Sequence, residues 1–409
     1  MINALSNEAY RTEWRKVEPI LNDPKHPLRR QAYLLPRTLE ELRRKRSGFY
    51  EIEEGDSVFA NGLADYAHSL LAGWHAQWGG GPPAALPEQA EHLSKLYRES
   101  ENSGKIITTS LHPVKPLDPK EPDASVISSE TGGGITIRGR QTFGSEALFA
   151  DELLVFLQES GEDAPSTVVL LPASSDGLTL QSYPSLTAGV TAWFESTFVP
   201  WERVIVFRSK EGVARLLTDP SAQLLADYQW VARQLEALEL VIGTAFALAE
   251  HKGLHTELHI QGDLGELIQE LETLRALLHA SEIGAATWDN GIILPASVPL
   301  AAAKKAGGLY YKRAIDVLQR IAGSVIADSP ALSSSGERET LLQLVLKLAG
   351  SEAAFRRKQH EVYAFGDPIR QAAAFYLHYP THRLRKRYEQ FWAAASSGQT
   401  VPQEEQTFV

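Results

Sequence analysis

The hydrophobic pattern of the chain changes character twice. Over residues 1–104 apolar positions recur at helical spacing. Between residues 64 and 78, Tyr66, Leu70, Gly73 or Trp74 and Gln77 fall three or four apart, which predicts a mostly buried helix ended by Gly79-Gly80-Gly81-Pro82-Pro83. Thr38-Leu39-Glu40-Glu41 has the form of a capping box and predicts a basic helix ending near Arg46. From residue 106 to 208 the pattern shortens to β-branched or alternating runs bounded by turns. Ile135-Thr136-Ile137-Arg138-Gly139, Asp151-Glu152-Leu153-Leu154-Val155-Phe156, Thr167-Val168-Val169-Leu170-Leu171 and Val204-Ile205-Val206-Phe207 predict a small β-barrel or sandwich.

After Asp227 the periodicity is long and helical. Val231, Leu235, Leu238, Ile242 and Phe246 form one stripe; Leu264, Leu267, Ile268, Leu271, Leu274 and Leu278 form another. Further helical stretches over 310–326 and 341–348 and near the C-terminus predict a bundle. The expected organisation is an N-terminal helical domain over 1–104, a middle β domain over 105–210, a C-terminal four-helix bundle over 211–396 and a flexible tail over 397–409. The fold class is α+β, mostly α.

Composition narrows the chemistry. Forty Lys and Arg against 51 Asp and Glu leave a net charge of −11, which disfavours nucleic acid and anionic lipid surfaces as main partners. The absence of cysteine removes disulfides, thiolate-ligated zinc, iron–sulfur clusters and a cysteine nucleophile. Neither an N-terminal signal pattern nor a run of 18 apolar residues occurs, so a cytoplasmic location is expected.

Several constellations fail on inspection. His255-Thr256-Glu257-Leu258-His259 carries Thr256 where the zinc motif needs glutamate, so no metal site is expected. Gly132-Gly133-Gly134 lacks the Lys-Ser or Lys-Thr of a phosphate loop and precedes a strand. The basic runs Arg43-Arg44-Lys45-Arg46 and Arg383-Leu384-Arg385-Lys386-Arg387 read as solvated helix faces.

Helices, then a small β unit, then a bundle is the layout of the acyl-CoA dehydrogenase superfamily. Within it, several segments resemble the 4-hydroxyphenylacetate 3-hydroxylase family of reduced-flavin-dependent monooxygenases. Phe198-Val199-Pro200-Trp201-Glu202-Arg203-Val204 is similar to its V-P-W-E-x-V strand. Gly132 to Gly139, with Phe149-Ala150-Asp151-Glu152-Leu153-Leu154-Val155, resembles its G-G-I-x-I-x-G and A-D-E-L-L-V segments. Gln229, Arg233, Leu238-Glu239 and Gly243 follow its bundle helix, and Arg357, Tyr363 and Gly366-Asp367-Pro368 resemble its C-terminal motif.

The resemblance implies the oxygenase component of a two-component monooxygenase. A separate flavin reductase would supply reduced FAD, whose C4a-hydroperoxide hydroxylates an aromatic or other small organic substrate. It also implies a homodimer or homotetramer. The family's substrate-binding Arg-x-x-x-Tyr falls on Gly62-Leu63-Ala64-Asp65-Tyr66, which keeps the tyrosine and loses the arginine. Its phenol-contacting histidine falls on Thr108, with His112 four residues on. Tyr66, Thr108 and His112 are therefore the catalytic candidates; His68 and His75 are further ionisable neighbours, each otherwise an ordinary packing histidine. By the same resemblance, Ser145 faces the flavin ring. Arg233, Gln319, Gly323 and Ser324 serve its pyrophosphate, the last three from a turn that reaches a neighbouring subunit's cofactor. Two other readings stay open: an acyl-CoA dehydrogenase-type enzyme using Glu266 or Glu272 as base, and a flavin-binding scaffold without catalysis.

Overall fold

The computed structural model describes residues 31–50, 65–78, 87–110, 125–143, 147, 150–158, 165–182, 190–323 and 337–396. Three helices come first, α1 (Leu39–Tyr50), α2 (Asp65–Trp78) and α3 (Pro87–Ser103). Eight strands follow: β1 (Ile107–Thr109), β2 (Val126–Thr131), β3 (Gly134–Phe143), β4 (Glu152–Gln158), β5 (Pro165–Pro172), β6 (Leu178–Ser182), β7 (Val190–Pro200) and β8 (Val204–Val206). Helices α4 (Lys210–Thr218), α5 (Pro220–His251), α6 (Leu258–Ile283) and α7 (Ser297–Ala322) come next, with a short ribbon, β9 (Ala286–Thr287) and β10 (Ile293–Leu294), between the last two. The described chain ends with α8 (Glu337–Val345), a π-helical turn (Leu346–Gly350), α9 (Glu352–Tyr363), α10 (Pro368–His378) and α11 (His382–Ser396). The order of helices, sheet and helices is the one the hydrophobic pattern predicts.

The strands form one sheet in the order β6-β7-β3-β2-β4-β5-β8, with β1 added in parallel beside β4. Strands β2 and β4 share a single pairing, Val126 with Gln158, so the sheet has two halves. Ile135 and Ile137 of β3 and Phe194 of β7 share one buried cluster with Leu153 and Val155 of β4 and Val169 of β5, which folds the halves around a common core. The opposite face, including Leu154, Phe156, Val168 and Leu170, packs with Trp74 of α2 and Leu93 of α3. Side chains alternate between these clusters because successive strand residues point to opposite faces.

Two quoted motifs meet in this layer. Glu152, from A-D-E-L-L-V, is 1% exposed and accepts from Lys105 Nζ at 2.6 Å, Arg203 Nη1 at 2.6 Å and Ser100 Oγ at 3.0 Å. Arg203 comes from the segment resembling V-P-W-E-x-V. A buried carboxylate needs such partners, and here they join the sheet to α3.

Helix α1 begins with the Thr38 half of the capping box, Glu41 N donating to Thr38 Oγ1 at 3.1 Å, while Glu41 Oε2 accepts from Arg37 N, one residue before the cap, at 2.7 Å. Its basic run departs from expectation. Lys45 is fully buried and donates to the carbonyls of Gln31, Ala32 and Leu34. Arg46 Nε lies 2.7 Å from the buried carboxylate of Glu282, which also accepts from Tyr228. The carbonyls of the preceding turn and a buried acid both need donors, and α1 supplies them.

The bundle is built on α5, whose Asp219 N-cap accepts from Ala222 N at 2.9 Å and whose first turn carries Pro220. Val231, Leu235, Leu238, Ile242 and Leu248 pack with Leu267, Leu274 and Leu278 of α6 and Ile315, Leu318 and Ile321 of α7. Two glycines bring α7 close to its neighbours. A Cβ on Gly307 would stand 2.4 Å from Gln234 Oε1, and one on Gly308 would stand 2.3 Å from the Glu361 carbonyl. Residues 366–409 form a separate compact unit. Within it α10 buries none of its residues, and Tyr376, Leu377, Phe391 and Trp392 are exposed.

Candidate active site

Helices α2 and α5 run antiparallel because Gly73 allows contact: a Cβ there would lie 2.3 Å from Ala222 Cα. Two turns toward the N-terminus of α2, Tyr66 meets Trp230 edge-on with centroids 6.4 Å apart. Phe365, just beyond α9, closes the group at 5.5 Å from Tyr66 and 4.8 Å from Trp230. His360 of α9 stands against the Trp230 ring at 5.4 Å. Lys304 of α7 places its ammonium 3.4 Å from the Phe365 centroid and 2.6 Å from Asp227 Oδ1. The result is a half-buried aromatic recess beside a matched ion pair.

Burial, and then the Asp227 carboxylate, push the Tyr66 hydroxyl well above its ordinary pKa. At neutral pH it is a phenol that donates a hydrogen bond, not a base. Behind the recess Arg357 pairs with Glu361 at 2.9 Å, and Gln234 donates to the other Glu361 oxygen at 3.2 Å. Burial also raises Tyr311, beside this network, to about 12.

Beside the Lys304–Asp227 ion pair lie uncharged polar groups. Gln229 is fully buried, and neither of its amide atoms has a hydrogen-bond partner; Trp230 Nε1 and Ser69 Oγ are also buried without one. Sequence reasoning placed Gln229 in a motif without a role. Lys304, Asp227, Phe365 and the glycine pair were not singled out, because their relation exists only once α2, α5, α7 and α9 have packed.

The other expected residues fall in several places. Thr108 is buried on β1 in register with Leu153, whose side chain belongs to the sheet-interior cluster, so it faces away from α2. His68 is a packing residue: its Nε2 lies 3.0 Å from both the Lys105 carbonyl and the Ile107 amide, and its ring abuts Tyr33. His75 stacks on Tyr97 at 4.2 Å and meets Ser94 Oγ at 3.1 Å; burial, and then Arg98, lower its pKa. Neither ring joins the Tyr66 group. His112, Ser145, Ser324 and Gly62 lie outside the described residues.

Arg233 is half-buried on α5, one turn beyond Gln229, and is engaged in contacts of its own. Gln319 donates to the Ala349 carbonyl at 2.7 Å. Gly323 ends α7 with φ 56°, and Lys252 Nζ would lie 3.8 Å from a Cβ placed there. Lys252 Nζ is engaged at this turn, donating to the carbonyls of Ile321 at 2.8 Å and Ala322 at 3.1 Å, so it caps the C-terminus of α7. Arg233 and Lys252 are 19 residues apart on one helix, about 28 Å at 1.5 Å per residue, so they do not converge on one phosphate within a subunit.

The residues considered as dehydrogenase bases face solvent. Glu266 pairs with Arg313, and Glu272 with Arg275. Among the described residues no group of three His, Asp or Glu is placed to hold a metal, and no helix is long and apolar enough to cross a membrane.

Comparison with known proteins agrees with this architecture. Residues 214–334 and 329–393 match the family described as 4-hydroxyphenylacetate 3-hydroxylase C terminal. The chain is 24% identical to the 4-hydroxyphenylacetate 3-monooxygenase oxygenase component of Thermus thermophilus, over 88% of this chain and 83% of that one. It is 23% identical to a probable 4-hydroxyphenylacetate 3-monooxygenase of Bacillus subtilis, over 85% and 81%. The HpaB oxygenase component complexed with FAD and 4-hydroxyphenylacetate has the same fold, with a TM-score of 0.75 at 22% identity over 90% and 86% of the two chains. An archaeal 4-hydroxybutyryl-CoA dehydratase shares it at a TM-score of 0.68 and 14% identity, over 93% and 84%. The chain thus shares the fold of these HpaB and 4-hydroxybutyryl-CoA dehydratase structures, and residues 214–393 are similar to the C-terminal region of the 4-hydroxyphenylacetate 3-hydroxylase family.

Proposed function

We propose that the protein is the oxygenase component of a two-component flavin-dependent monooxygenase, hydroxylating an aromatic or other small organic substrate. The observation that carries this reading is the aromatic recess around Tyr66, formed where α2 meets family-matched helices. Solved relatives of the same fold are complexed with FAD. Reduced FAD, delivered by a separate reductase, supplies the electrons and activates the oxygen.

The chain's own residues bind, orient and exclude water. Tyr66, Trp230 and Phe365 give a planar ring three aromatic faces and keep solvent off it. The neutral Tyr66 hydroxyl donates to a substrate oxygen and holds its proton throughout turnover. Arg233, Gln319, Gly323 and Ser324 would serve the anionic part of the cofactor, and Ser145 its ring, through the family resemblance alone. The resemblance has the Gln319–Ser324 turn reach a neighbouring subunit's cofactor, which makes a homodimer or homotetramer part of the proposal. His112 stays a substrate-side candidate through the family resemblance alone, whereas Thr108, buried in the sheet interior, does not face the Tyr66 group. A cytoplasmic location, expected from the sequence, is part of the same proposal.

The test is turnover under ¹⁸O₂ with FAD, NADH, a flavin reductase and a panel of phenols. One labelled oxygen atom in a protein-dependent product is the expected result. Reduced FAD binding without any labelled product would favour a binding protein instead.

A further inference from the structure

Four buried polar atoms without hydrogen-bond partners fall on one seam: both amide atoms of Gln229, Trp230 Nε1 and Ser69 Oγ. Gln229 and Ser69 are each 0% exposed. The seam is the line along which α2 meets α5, with Gly73 seated on Ala222 at one end and Tyr66 against Trp230 at the other. Ser69 is one turn from both Tyr66 and Gly73, and Gln229 lies two turns along α5 from Ala222. Buried polar groups are nearly always satisfied, so a cluster of unsatisfied ones calls for an occupant.

We infer that Gln229, with Trp230 and Ser69, forms an uncharged polar seat for the oxygen of a neutral aromatic substrate, such as a phenol bound with its proton on. The inference rests on the proposed monooxygenase reading and names the substrate class for that site. An amide offers a donor and an acceptor together, which suits a hydroxyl that both gives and receives a hydrogen bond. The indole N–H adds a donor, and the rings of Tyr66, Trp230 and Phe365, packed against one another, give an aromatic neighbourhood that suits a flat ligand.

Charge points the same way. Lys304, the cation resting on the Phe365 ring, is already matched by Asp227 at 2.6 Å, and both side chains are less than one-fifth exposed. A substrate carboxylate would have to draw Lys304 away and leave Asp227 unpaired. Gly62 stands where the resemblance would put the family's arginine, and Thr108 where it would put the histidine. A ligand lacking a charge meets none of these obstacles.

The experiment is calorimetric titration of the full chain, with and without FAD, using 4-cresol and 4-hydroxyphenylacetate as probes, on wild type, Gln229→Leu and Trp230→Phe. The wild type is expected to bind 4-cresol at least tenfold more tightly than the arylacetate. Gln229→Leu should raise the melting temperature of the ligand-free protein, because it removes an unsatisfied amide, while weakening 4-cresol about fivefold, the equivalent of one neutral hydrogen bond of ~1 kcal/mol. Trp230→Phe keeps the aromatic wall and should weaken 4-cresol by less. Equal or tighter binding of the arylacetate, no binding of either probe, a lowered melting temperature in Gln229→Leu or an unchanged 4-cresol affinity would each overturn the inference. Titration with FAD alone separates the two readings: no FAD binding with the 4-cresol pattern intact sinks the monooxygenase reading, and the reverse sinks only the Gln229 seat.

Discussion

Tyr66 shows how one side chain changes meaning with its surroundings. Exposed, its hydroxyl would approach ionisation near pH 10; in the recess, burial and Asp227 hold the proton on. Product formation should therefore show no inflection from Tyr66 between pH 6 and 10. Tyr66→Phe should raise KM while leaving the pH profile of kcat unchanged, and a new or lost inflection in steady-state assays would assign it proton transfer instead. Glu152 is a buried carboxylate matched by three donors. Glu152→Gln leaves Lys105 and Arg203 without their carboxylate, and urea denaturation should show a loss of about 3 kcal/mol.

At the level of elements, α5 depends on a cap that is strained electrostatically. Burial raises the pKa of Asp219 to about 6 from its ordinary 3.8, so between those values the folded chain holds a proton that the unfolded chain has released. Stability from this residue is therefore full below the lower value and falls as pH rises through the higher one. Asp219→Asn keeps an oxygen for the Ala222 amide, and thermal melts from pH 4 to 8 should show a flatter profile with its largest gain above pH 6. On α7, Gly308→Ala would drive a methyl into the Glu361 carbonyl, whereas Gly307→Ala meets the Gln234 side-chain amide. Overpacking of this kind costs roughly 1–3 kcal/mol, and Gly308→Ala should sit at the upper end because backbone cannot step aside.

These elements also show what was legible in the chain beforehand. Periodicity placed α2, strands β3, β4, β5 and β8 and stretches of the long bundle helices, α7 only from residue 310, because burying one face imposes a repeat that the sequence must carry. The Thr38 cap was readable for the same reason: its partners are three residues apart. Lys45 was not, since its carbonyl partners lie 11 to 14 residues away on a turn whose position depends on the fold. Asp227 and Lys304 are 77 residues apart and meet only after α5 and α7 pack. The motif around Tyr66 was visible through resemblance, but the uncharged polar groups beside its recess emerged only from burial and hydrogen-bond accounting at Gln229.

The whole molecule combines an acidic body, a sheet clamped to helices on one face and a two-helix C-terminal unit whose apolar side chains are exposed. If the Gln319–Gly323 turn serves a neighbouring subunit's cofactor, as proposed, light scattering of the purified chain should report a dimer or tetramer. The central claim, that this fold is used to handle reduced FAD and oxygen, has a direct test. The protein is mixed anaerobically with reduced FAD, then with oxygenated buffer, and the flavin absorbance is followed by stopped flow. Reoxidation markedly slower than that of free reduced FAD is the predicted result. Reduced FAD that stays unbound, or that reoxidises at the free rate, would contradict it.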